Sequence, residues 1–159
     1  SGSEKVIVGV VSAPALFRRW YAFEGGGAFV ILNKNNDQEA IPKRISVSDV
    51  ARIEDASISY SDFVGWGERL APFQSLLASA WRTRAHGDFW SHMLVAEGAV
   101  DGALEPSLAL WDMAALDIIV REAGGRFSSV TGIDGPHAGS GFSSNGKLHQ
   151  AILDALTVR

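Results

Sequence analysis

The sequence contains no cysteine among its 159 residues. This absence excludes a disulfide framework, a thiolate metal site and a cysteine nucleophile. No apolar run approaches the roughly 20 residues of a membrane-spanning helix, and no charged-then-apolar signal pattern opens the chain. There is also no basic excess, because 14 Lys and Arg face 18 Asp and Glu, for a formal net charge of −4. We therefore expect a cytoplasmic protein that binds neither membranes nor nucleic acid.

The composition is that of a globular protein. Hydrophobic residues make up 47% of the chain and charged residues 20%, which excludes an intrinsically disordered or collagen-like chain. The length suits one ordinary domain. We expect residues 1–3 to be a remnant of cloning and residues 4–159 to form that domain.

Strands are predicted along the whole chain. The β-branched run Lys5–Ala13, ended by Pro14, predicts a strand buried on both faces. The glycines at 25–27 predict a turn, not a phosphate-binding loop, because no helical pattern follows them. This turn would join strands Arg19–Phe23 and Ala28–Leu32. Further strands are predicted at Ile45–Ser48, Ala56–Ser61, Val100–Leu104, Arg126–Ser129 and Gly141–Ser144, and Asn33–Glu39 is predicted to be a polar loop.

The clearest predicted helix is Leu110–Ala123. Four of its fourteen positions are polar, so most of its circumference should be buried. Gly124 and Gly125 supply a left-handed C-terminal cap. Other helices are predicted at Ala71–Ala80, Phe89–Glu97 and Lys147–Leu156. Because strands and helices interleave throughout, the sequence predicts an α/β layered domain.

Two carboxylates near the start of this helix are candidates for chemistry. Asp112 lies in the first turn, where the positive helix end stabilises a carboxylate that can hold a hard cation. The same residue can equally cap its own helix without any ligand, and both interpretations stay open. Glu105, just before Pro106, can point into the same cleft. From the residues alone, an exposed loop carboxylate is the favoured interpretation of Glu105.

The segment Arg84–Trp90 mixes charged and aromatic residues before a helix. Asp88 is placed to be the N-cap of that helix. His86 is a candidate base, but no Ser or Cys nucleophile motif accompanies it. The four histidines lack the paired spacing of a zinc site. Asp117 and Arg121 are four positions apart and predict an ion pair on one helix face.

The helix and its end resemble a known family signature. The opening Trp111-Asp112-Met113-Ala114-Ala115 and the closing Glu122-Ala123-Gly124-Gly125 are similar to the second signature of the inositol monophosphatase family. The segments Val10–Pro14, Gly27–Phe29 and Val130–Gly132 also match the family in order. The resemblance covers residues 4–156. It implies part of a layered sandwich, with a mixed sheet and flanking helices.

The resemblance implies a magnesium-dependent phosphomonoesterase. In such an enzyme metal ions bridge phosphate oxygens, activate a water and stabilise the leaving alkoxide. Asp112 would be a metal ligand, Glu105 and Asp88 would face the alcohol part of the substrate, and Gly87 and Arg84 would also bind substrate. Family members are commonly homodimers, so association is expected.

Within the family, Thr83–Ser91 and Leu94–Asp101 are most similar to the histidinol-phosphatase branch of actinobacterial type. Inositol-directed members usually carry Ser or Thr at the position of Asp88, and a carboxylate there suits a substrate with an amino group. The implied reaction is the hydrolysis of histidinol phosphate in histidine biosynthesis. The alternatives are inositol monophosphate, fructose bisphosphate or a phosphoadenosine nucleotide as substrate, or a non-catalytic domain that binds a partner.

One family feature is absent. The first signature, an Asp-Pro-x-Asp-Gly-Thr run, and an upstream metal-binding Glu do not occur in these residues. In the family they precede the strand that begins here near Lys5, and they supply most of the metal ligands. We therefore expect this chain to be the C-terminal part of a phosphatase, with the N-terminal part as a possible partner. No catalytic residue is assigned within the chain, and the isolated chain is expected to be inactive.

Overall fold

The computed structural model describes residues 5–32 and 41–158, which form nine strands and four α-helices. The strands are β1 (Val8–Ala13), β2 (Arg18–Phe23), β3 (Gly27–Leu32), β4 (Lys43–Ile45), β5 (Ser57–Tyr60), β6 (Arg82–Arg84), β7 (Gly102–Glu105), β8 (Arg126–Ser128) and β9 (Gly141–Ser144). The helices are α1 (Leu70–Ser79), α2 (Asp88–Ala96), α3 (Leu110–Glu122) and α4 (His149–Ala155). These elements confirm the predicted layered class.

The strands form two sheets. Sheet A is antiparallel, in the order β1-β2-β3-β4. Sheet B has the order β6-β5-β7-β9-β8, in which β5 is parallel to β6 and β7, and β9 is antiparallel to β7 and β8. Two large hydrophobic clusters join the layers, and a third, smaller one contains Val95, Val100 and Ala103. In the first, sheet A packs with α2, α3 and Phe127 of β8, and in the second, sheet B packs with α1 and α4. The layers therefore run from sheet A through α2 and α3 to sheet B, and then to α1 and α4.

The prediction that Lys5–Ala13 is buried on both faces is wrong. The strand begins at Val8, and its side chains alternate, with Val8 and Val10 62% and 55% exposed while Ala13 is buried. β1 is an edge strand that pairs with β2, and α3 covers one of its faces. An apolar run therefore does not by itself indicate two covered faces.

The opposite error occurs at Ala56–Ser61, which was predicted to be half-buried. In β5 the residues Ser57, Ile58 and Ser59 are all buried. The strand lies between β6 and β7, with helices on both sides of the sheet. Its small polar residues fit this packed position because they are hydrogen-bonded, as in the 2.7 Å contact between the hydroxyls of Ser59 and Ser91.

The predicted glycine turn between β2 and β3 is confirmed. Gly25 and Gly27 adopt positive φ angles of 73° and 88°, which glycine reaches without strain. The carboxylate of Glu122, at the end of α3, accepts hydrogen bonds from the amides of Gly25 at 2.9 Å and Gly27 at 2.8 Å. The side chain of Glu122 thus connects the glycine turn of sheet A to the end of α3. Gly124 ends α3 with a φ of 92°, as predicted.

Other predicted bounds shift by a few residues. The strand expected at Ile45–Ser48 lies earlier, at Lys43–Ile45, and β6 was not predicted. The predicted polar loop Asn33–Glu39 and residues 1–3 lie outside the described residues. In the described ranges no helix has the length and apolar character needed to span a bilayer.

Candidate active site

The candidate site is built around Glu105, the last residue of β7. Because β5 and β7 are parallel and in register at Tyr60 and Leu104, the residue after β5 lies beside Glu105. That residue is Ser61, whose hydroxyl donates a hydrogen bond to Oε2 of Glu105. Glu105 is 4% exposed. The interpretation of Glu105 as an exposed loop carboxylate is therefore wrong, because β7 extends to residue 105 and pairs there with β9.

The segment before α2 folds over the same end of β5. The amide of Gly87 donates a hydrogen bond to the carbonyl of Tyr60 at 3.2 Å. A Cβ atom on Gly87 would lie 3.6 Å from Ser61, so the backbone approaches that residue closely. Asp88 therefore lies close enough to Glu105 to affect its carboxyl group, and Gly87 packs against Ser61, the hydrogen-bond donor to Glu105.

The surroundings of Glu105 disfavour the charged form of its carboxyl group. Burial is the largest effect and raises its pKa, and the negative charges of Asp88 and Asp62 raise it further. The Ser61 hydroxyl and the backbone amide of Asp88 act in the opposite direction. Oε1 of Glu105 is buried and has no hydrogen-bond partner among the described residues. An unpaired buried acceptor favours a donor group brought by a ligand.

Asp88 occupies an unusual backbone position. Its φ angle is 49°, and Gly87 before it has a φ of 74°. A non-glycine residue with positive φ is strained, and such residues cluster at functional sites. The prediction that Asp88 is the N-cap is wrong by one residue, since Gly87 is the N-cap and Asp88 begins α2 without a side-chain capping bond. Its carboxylate is exposed to solvent, so it is available to a ligand.

A cavity of about 350 Å³ lies beside Asp88. Its walls are the short turn after β1 and the start of α2, and its lining residues are Ala13–Leu16 and His86–Trp90. The rings of His86 and Trp90 lie 5.1 Å apart at its edge. Its volume is within the range of small-ligand pockets. The exposed side chain of His86 thus lies at the edge of this cavity.

Asp112 is the third residue of α3 and is exposed. Its Oδ2 accepts a hydrogen bond from the amide of Ala109 at 3.3 Å, so it does cap its own helix. Across residues 5–32 and 41–158, no group of three or more His, Asp or Glu side chains is placed to hold a metal ion. The described residues therefore do not by themselves form a metal centre of three or more such side chains.

Arg84 lies at the end of the edge strand β6 and is exposed. Its side chain donates a hydrogen bond to the carbonyl of Thr83 at 2.7 Å. Its own carbonyl accepts a hydrogen bond from the hydroxyl of Ser59 at 3.2 Å. Arg84 thus lies on the strand that precedes Gly87, and the hydrogen bond of its side chain is made to the adjacent residue, Thr83.

Sequence analysis missed Ser61 as a site residue. The signal was present in the topology, since Ser61 and Glu105 each follow or end a parallel strand, and the carboxyl ends of adjacent parallel strands meet at one edge. Recognising the pair required knowledge that β5 and β7 are neighbours.

Two histidines lie in the core, away from this edge. His92 is fully buried, and its Nδ1 lies 2.7 Å from the hydroxyl of Ser143. Burial lowers the pKa of His92 to about 4. His149 lies between the hydroxyls of Ser128 and Ser144, at 3.0 and 2.8 Å, and burial lowers its pKa to about 4 as well. Both rings are therefore neutral packing elements at neutral pH.

Two packed sheets with flanking helices define a layered α+β domain. The buried carboxylate at the ends of its parallel strands is a candidate site. The chain belongs to the inositol monophosphatase family, whose family model matches residues 2–157. That family is generally metal-dependent.

The chain is similar to curated histidinol-phosphatases. It is 53% identical over 154 residues to the histidinol-phosphatase of Mycobacterium tuberculosis, covering 94% of this chain and 56% of that protein. It is 49% identical over 160 residues to the histidinol-phosphatase of Streptomyces coelicolor, covering 99% and 58%. The chain thus spans a little over half the length of these relatives.

A solved structure shows the same fold. The Thermotoga maritima IMPase superposes with a TM-score of 0.78 at 30% identity, over 96% of this chain and 56% of that one. The implied fold is therefore confirmed.

Proposed function

We propose that this chain is part of a magnesium-dependent phosphomonoesterase that converts histidinol phosphate to histidinol and phosphate. The observation that carries the proposal is the identity of about half the residues, over nearly the whole chain, to two histidinol-phosphatases. The arrangement of Glu105, Gly87 and Asp88 at one strand edge supports a site for the alcohol part of the substrate.

Each site residue has a role in this proposal. Oε1 of Glu105, buried and without a described partner, accepts a hydrogen bond from the substrate. The exposed carboxylate of Asp88 binds the ammonium group of histidinol phosphate through a charge-assisted hydrogen bond. Gly87 leaves room for the substrate because it carries no side chain, and Arg84 lies on the strand leading to it and attracts the phosphate.

Magnesium, when bound, supplies positive charge next to the phosphate oxygens. Asp112 contributes one carboxylate ligand, and the remaining ligands come from the part of the relatives that this chain does not match. This division follows from the lack of a metal-binding group among residues 5–32 and 41–158. The chain as it stands is therefore expected to be inactive.

The test compares the chain with a chimera that carries the unmatched part of the Streptomyces coelicolor relative ahead of Lys5. Phosphate release from histidinol phosphate is measured with and without millimolar magnesium. The chimera should release phosphate in a magnesium-dependent manner, and the chain alone should not. A folded chimera without phosphatase activity would overturn the proposal, and magnesium-dependent release by the chain alone would overturn the assignment of the missing ligands.

The substrate assignment is tested by Asp88→Ser in the chimera. Removing a charged hydrogen-bond partner costs about 1.5–3 kcal/mol, so KM for histidinol phosphate should rise about tenfold or more. KM for inositol monophosphate, which has no ammonium group, should not rise. Asp154→Ser, on the distant helix α4, is the matched control and should leave both values unchanged. An unchanged KM for histidinol phosphate in Asp88→Ser would refute the ammonium-binding role and leave inositol monophosphate as the substrate to examine.

A second candidate function is a non-catalytic domain that binds a partner. It is favoured for the isolated chain by the lack of a metal-binding group in the described ranges. A ligand that binds the folded state raises its melting temperature. If millimolar magnesium leaves the melting temperature of the chimera unchanged, the non-catalytic interpretation is supported.

A further inference from the structure

The cavity beside Asp88 has mostly apolar walls. Asp88 is the one carboxylate among its lining residues, and His86 is the other residue there that can carry a charge. The remaining lining side chains are apolar or aromatic, and they belong to Ala13, Pro14, Ala15, Leu16, Phe89 and Trp90. The roles proposed above for Glu105 and Arg84 do not involve these walls.

Trp90, in the first turn of α2, brings an unpaired donor to this cavity. Its indole Nε1 is buried and has no hydrogen-bond partner among the described residues. An indole N–H can only donate, and a buried donor without an acceptor costs free energy. The arrangement therefore favours a ligand that carries an acceptor. The ring of His86 lies 5.1 Å from that of Trp90, so the two rings offer aromatic surface at the cavity edge.

The backbone is strained on both sides of the cavity. Within residues 5–32 and 41–158, the non-glycine residues with a positive φ are Phe17, at 54°, and Asp88, at 49°. Phe17 directly follows the lining residue Leu16, and Asp88 lines the opposite wall. Bulky residues rarely adopt this conformation, and such strain clusters where ligands bind. The strain thus marks the same cavity as the unpaired indole.

We infer that this cavity is the subsite for a neutral nitrogen heterocycle, and that the indole N–H of Trp90 donates a hydrogen bond to its ring nitrogen. The inference rests on the proposed function, in which the heterocycle is the imidazole ring of histidinol phosphate. It makes Trp90 the residue that distinguishes this ring from other rings of similar shape.

The covalent structure of the substrate agrees with this position. In histidinol phosphate a single methylene group separates the ring from the carbon that bears the ammonium group. With the ammonium group on Asp88, the ring has to lie close to that carboxylate, as the apolar walls do. The cavity volume of about 350 Å³ is near the lower end for small-molecule sites, which suits one small ring.

The hydrogen-bonding groups also match. A neutral imidazole has one ring nitrogen that accepts and one that donates, so it supplies the acceptor that Trp90 lacks. A phenyl ring has a similar shape but no acceptor, and it would leave the indole N–H unpaired. A site built to form a hydrogen bond discriminates against a ligand that cannot form it. The cavity should therefore prefer imidazole to phenyl.

The first test is independent of phosphatase activity. Histidinol and phenylalaninol share the alcohol and the ammonium group and differ in the ring. Each of the five tryptophans gives one indole signal in a nitrogen–proton correlation spectrum, and Trp90→Phe identifies the signal of Trp90. At about pH 8, where imidazole is neutral, histidinol should move this signal downfield, in this chain or in the chimera described above. Phenylalaninol should not.

The second test uses KM values of the chimera. KM for phenylalaninol phosphate should exceed KM for histidinol phosphate by about tenfold. Trp90→Phe keeps an aromatic ring but removes the donor, so this ratio should fall to about one. A purely structural role of Trp90 would change both KM values equally and leave the ratio intact. Trp81→Phe, at a position 66% exposed that does not line the cavity, is the matched control and should keep the original ratio.

The outcomes separate this inference from the proposed function. If histidinol moves the Trp90 signal downfield but the folded chimera releases no phosphate from histidinol phosphate, the proposed function is wrong and the ring subsite stands. If the chimera is active but the ratio is unchanged in Trp90→Phe, or histidinol moves the signal in neither protein, the ring subsite is wrong. Equal KM values for the two esters in the unmodified chimera would overturn it even if Trp90→Phe does not fold.

Discussion

Sheet A and sheet B show how differently similar strands can be used within one chain. Sheet B lies between two helical layers, and even its serines at positions 57 and 59 are buried. Sheet A has one helical layer, and valines at positions 8 and 10 are exposed. The candidate site lies at the edge of the fully covered sheet, where Glu105 is held in place by β5, β9 and the start of α2. Sheet A instead leaves Val8, Val10 and Phe23 exposed.

The comparison teaches that burial follows the position of a strand in its layers and not its own composition. A buried site needs rigid surroundings to hold a carboxylate against its desolvation cost. Sheet B provides them, whereas among the described residues sheet A packs against helices on one face.

The largest expected effect comes from removing one aromatic ring from each sheet. Phe142 of β9 is fully buried and stacks on His149 at 4.4 Å, whereas Phe23 of β2 is 49% exposed. Phe142→Ala should lower the free energy of unfolding by about 3–5 kcal/mol, the usual cost for a buried ring. Phe23→Ala should cost about 1 kcal/mol or less. Urea unfolding of the chain measures both, and Phe142→Leu gives a milder version if the alanine variant is unfolded. Equal losses would contradict the comparison.

The two buried histidines, on α2 and α4, should make the stability of the chain sensitive to acid. His92 has a pKa of about 4 in the folded chain and about 6.5 when unfolded. The unfolded chain therefore binds a proton first as pH falls, and stability is lost between about pH 6.5 and 4, by about 3 kcal/mol for this residue.

His92→Asn should reduce this pH dependence, since asparagine keeps a polar group near Ser143 but does not titrate. Part of the dependence should remain because the pKa of His149 is also about 4. His86→Asn, at an exposed position, is the control and should keep the original slope. Chemical unfolding at several pH values is the measurement, and an unchanged slope in His92→Asn would disprove the prediction.

Glu105 should destabilise the chain at neutral pH. Burial raises its pKa, so its charged form is disfavoured in the folded state. Protonation of Glu105 stabilises the folded chain relative to its state at neutral pH. This stabilisation is complete below the unfolded pKa of Glu105 and is lost as pH rises through its higher folded pKa. Glu105→Gln should therefore raise the free energy of unfolding at pH 7 by about 1 kcal/mol, and the gain should shrink towards pH 4.

Glu68→Gln, at an exposed position before α1, is the matched control and should show no such gain. Thermal melting across pH detects the difference. A loss of stability in Glu105→Gln at pH 7 would show that the carboxylate is better accommodated than the structure indicates.

The smallest expected effect distinguishes the two faces of sheet A itself. Val10→Thr, on the face of sheet A that points away from α2 and α3, should change the stability of the chain by less than about 0.5 kcal/mol, as is usual for surface substitutions. Val30→Thr on the inner face, where Val30 is 3% exposed, should cost about 1 kcal/mol or more because it buries a hydroxyl. Equal losses of stability in the two variants would show that the two faces of sheet A are equally covered and would contradict the comparison.

Local signals in the sequence were sufficient for much of the fold. The Gly25–Gly27 turn, the helix at Leu110 and its glycine end were all predicted correctly, because turn chemistry and helical periodicity act over a few residues. The Asp117–Arg121 ion pair, at 2.6 Å, followed from helical spacing alone. The family resemblance rested on the same contiguous segment.

Predictions that required long-range information were less successful. Glu105 was favoured as an exposed carboxylate because nothing near it in sequence indicates burial. Its burial comes from Ser61, 44 positions earlier, and from the start of α2. The prediction that Asp88 is the N-cap was wrong for the same reason. The positive φ angles of Gly87 and Asp88 accompany the packing of this segment over β5, which local sequence does not reveal.

The sequence by itself thus determined most of the helices and strands, the family and the identity of the candidate carboxylates, since these depend on residue type and local spacing. The tertiary structure alone decided which strand is buried and which is open, because coverage depends on neighbours distant in sequence. It also decided that Glu105, Ser61 and Asp88 meet, because parallel strand pairing brings separate strand ends to one edge.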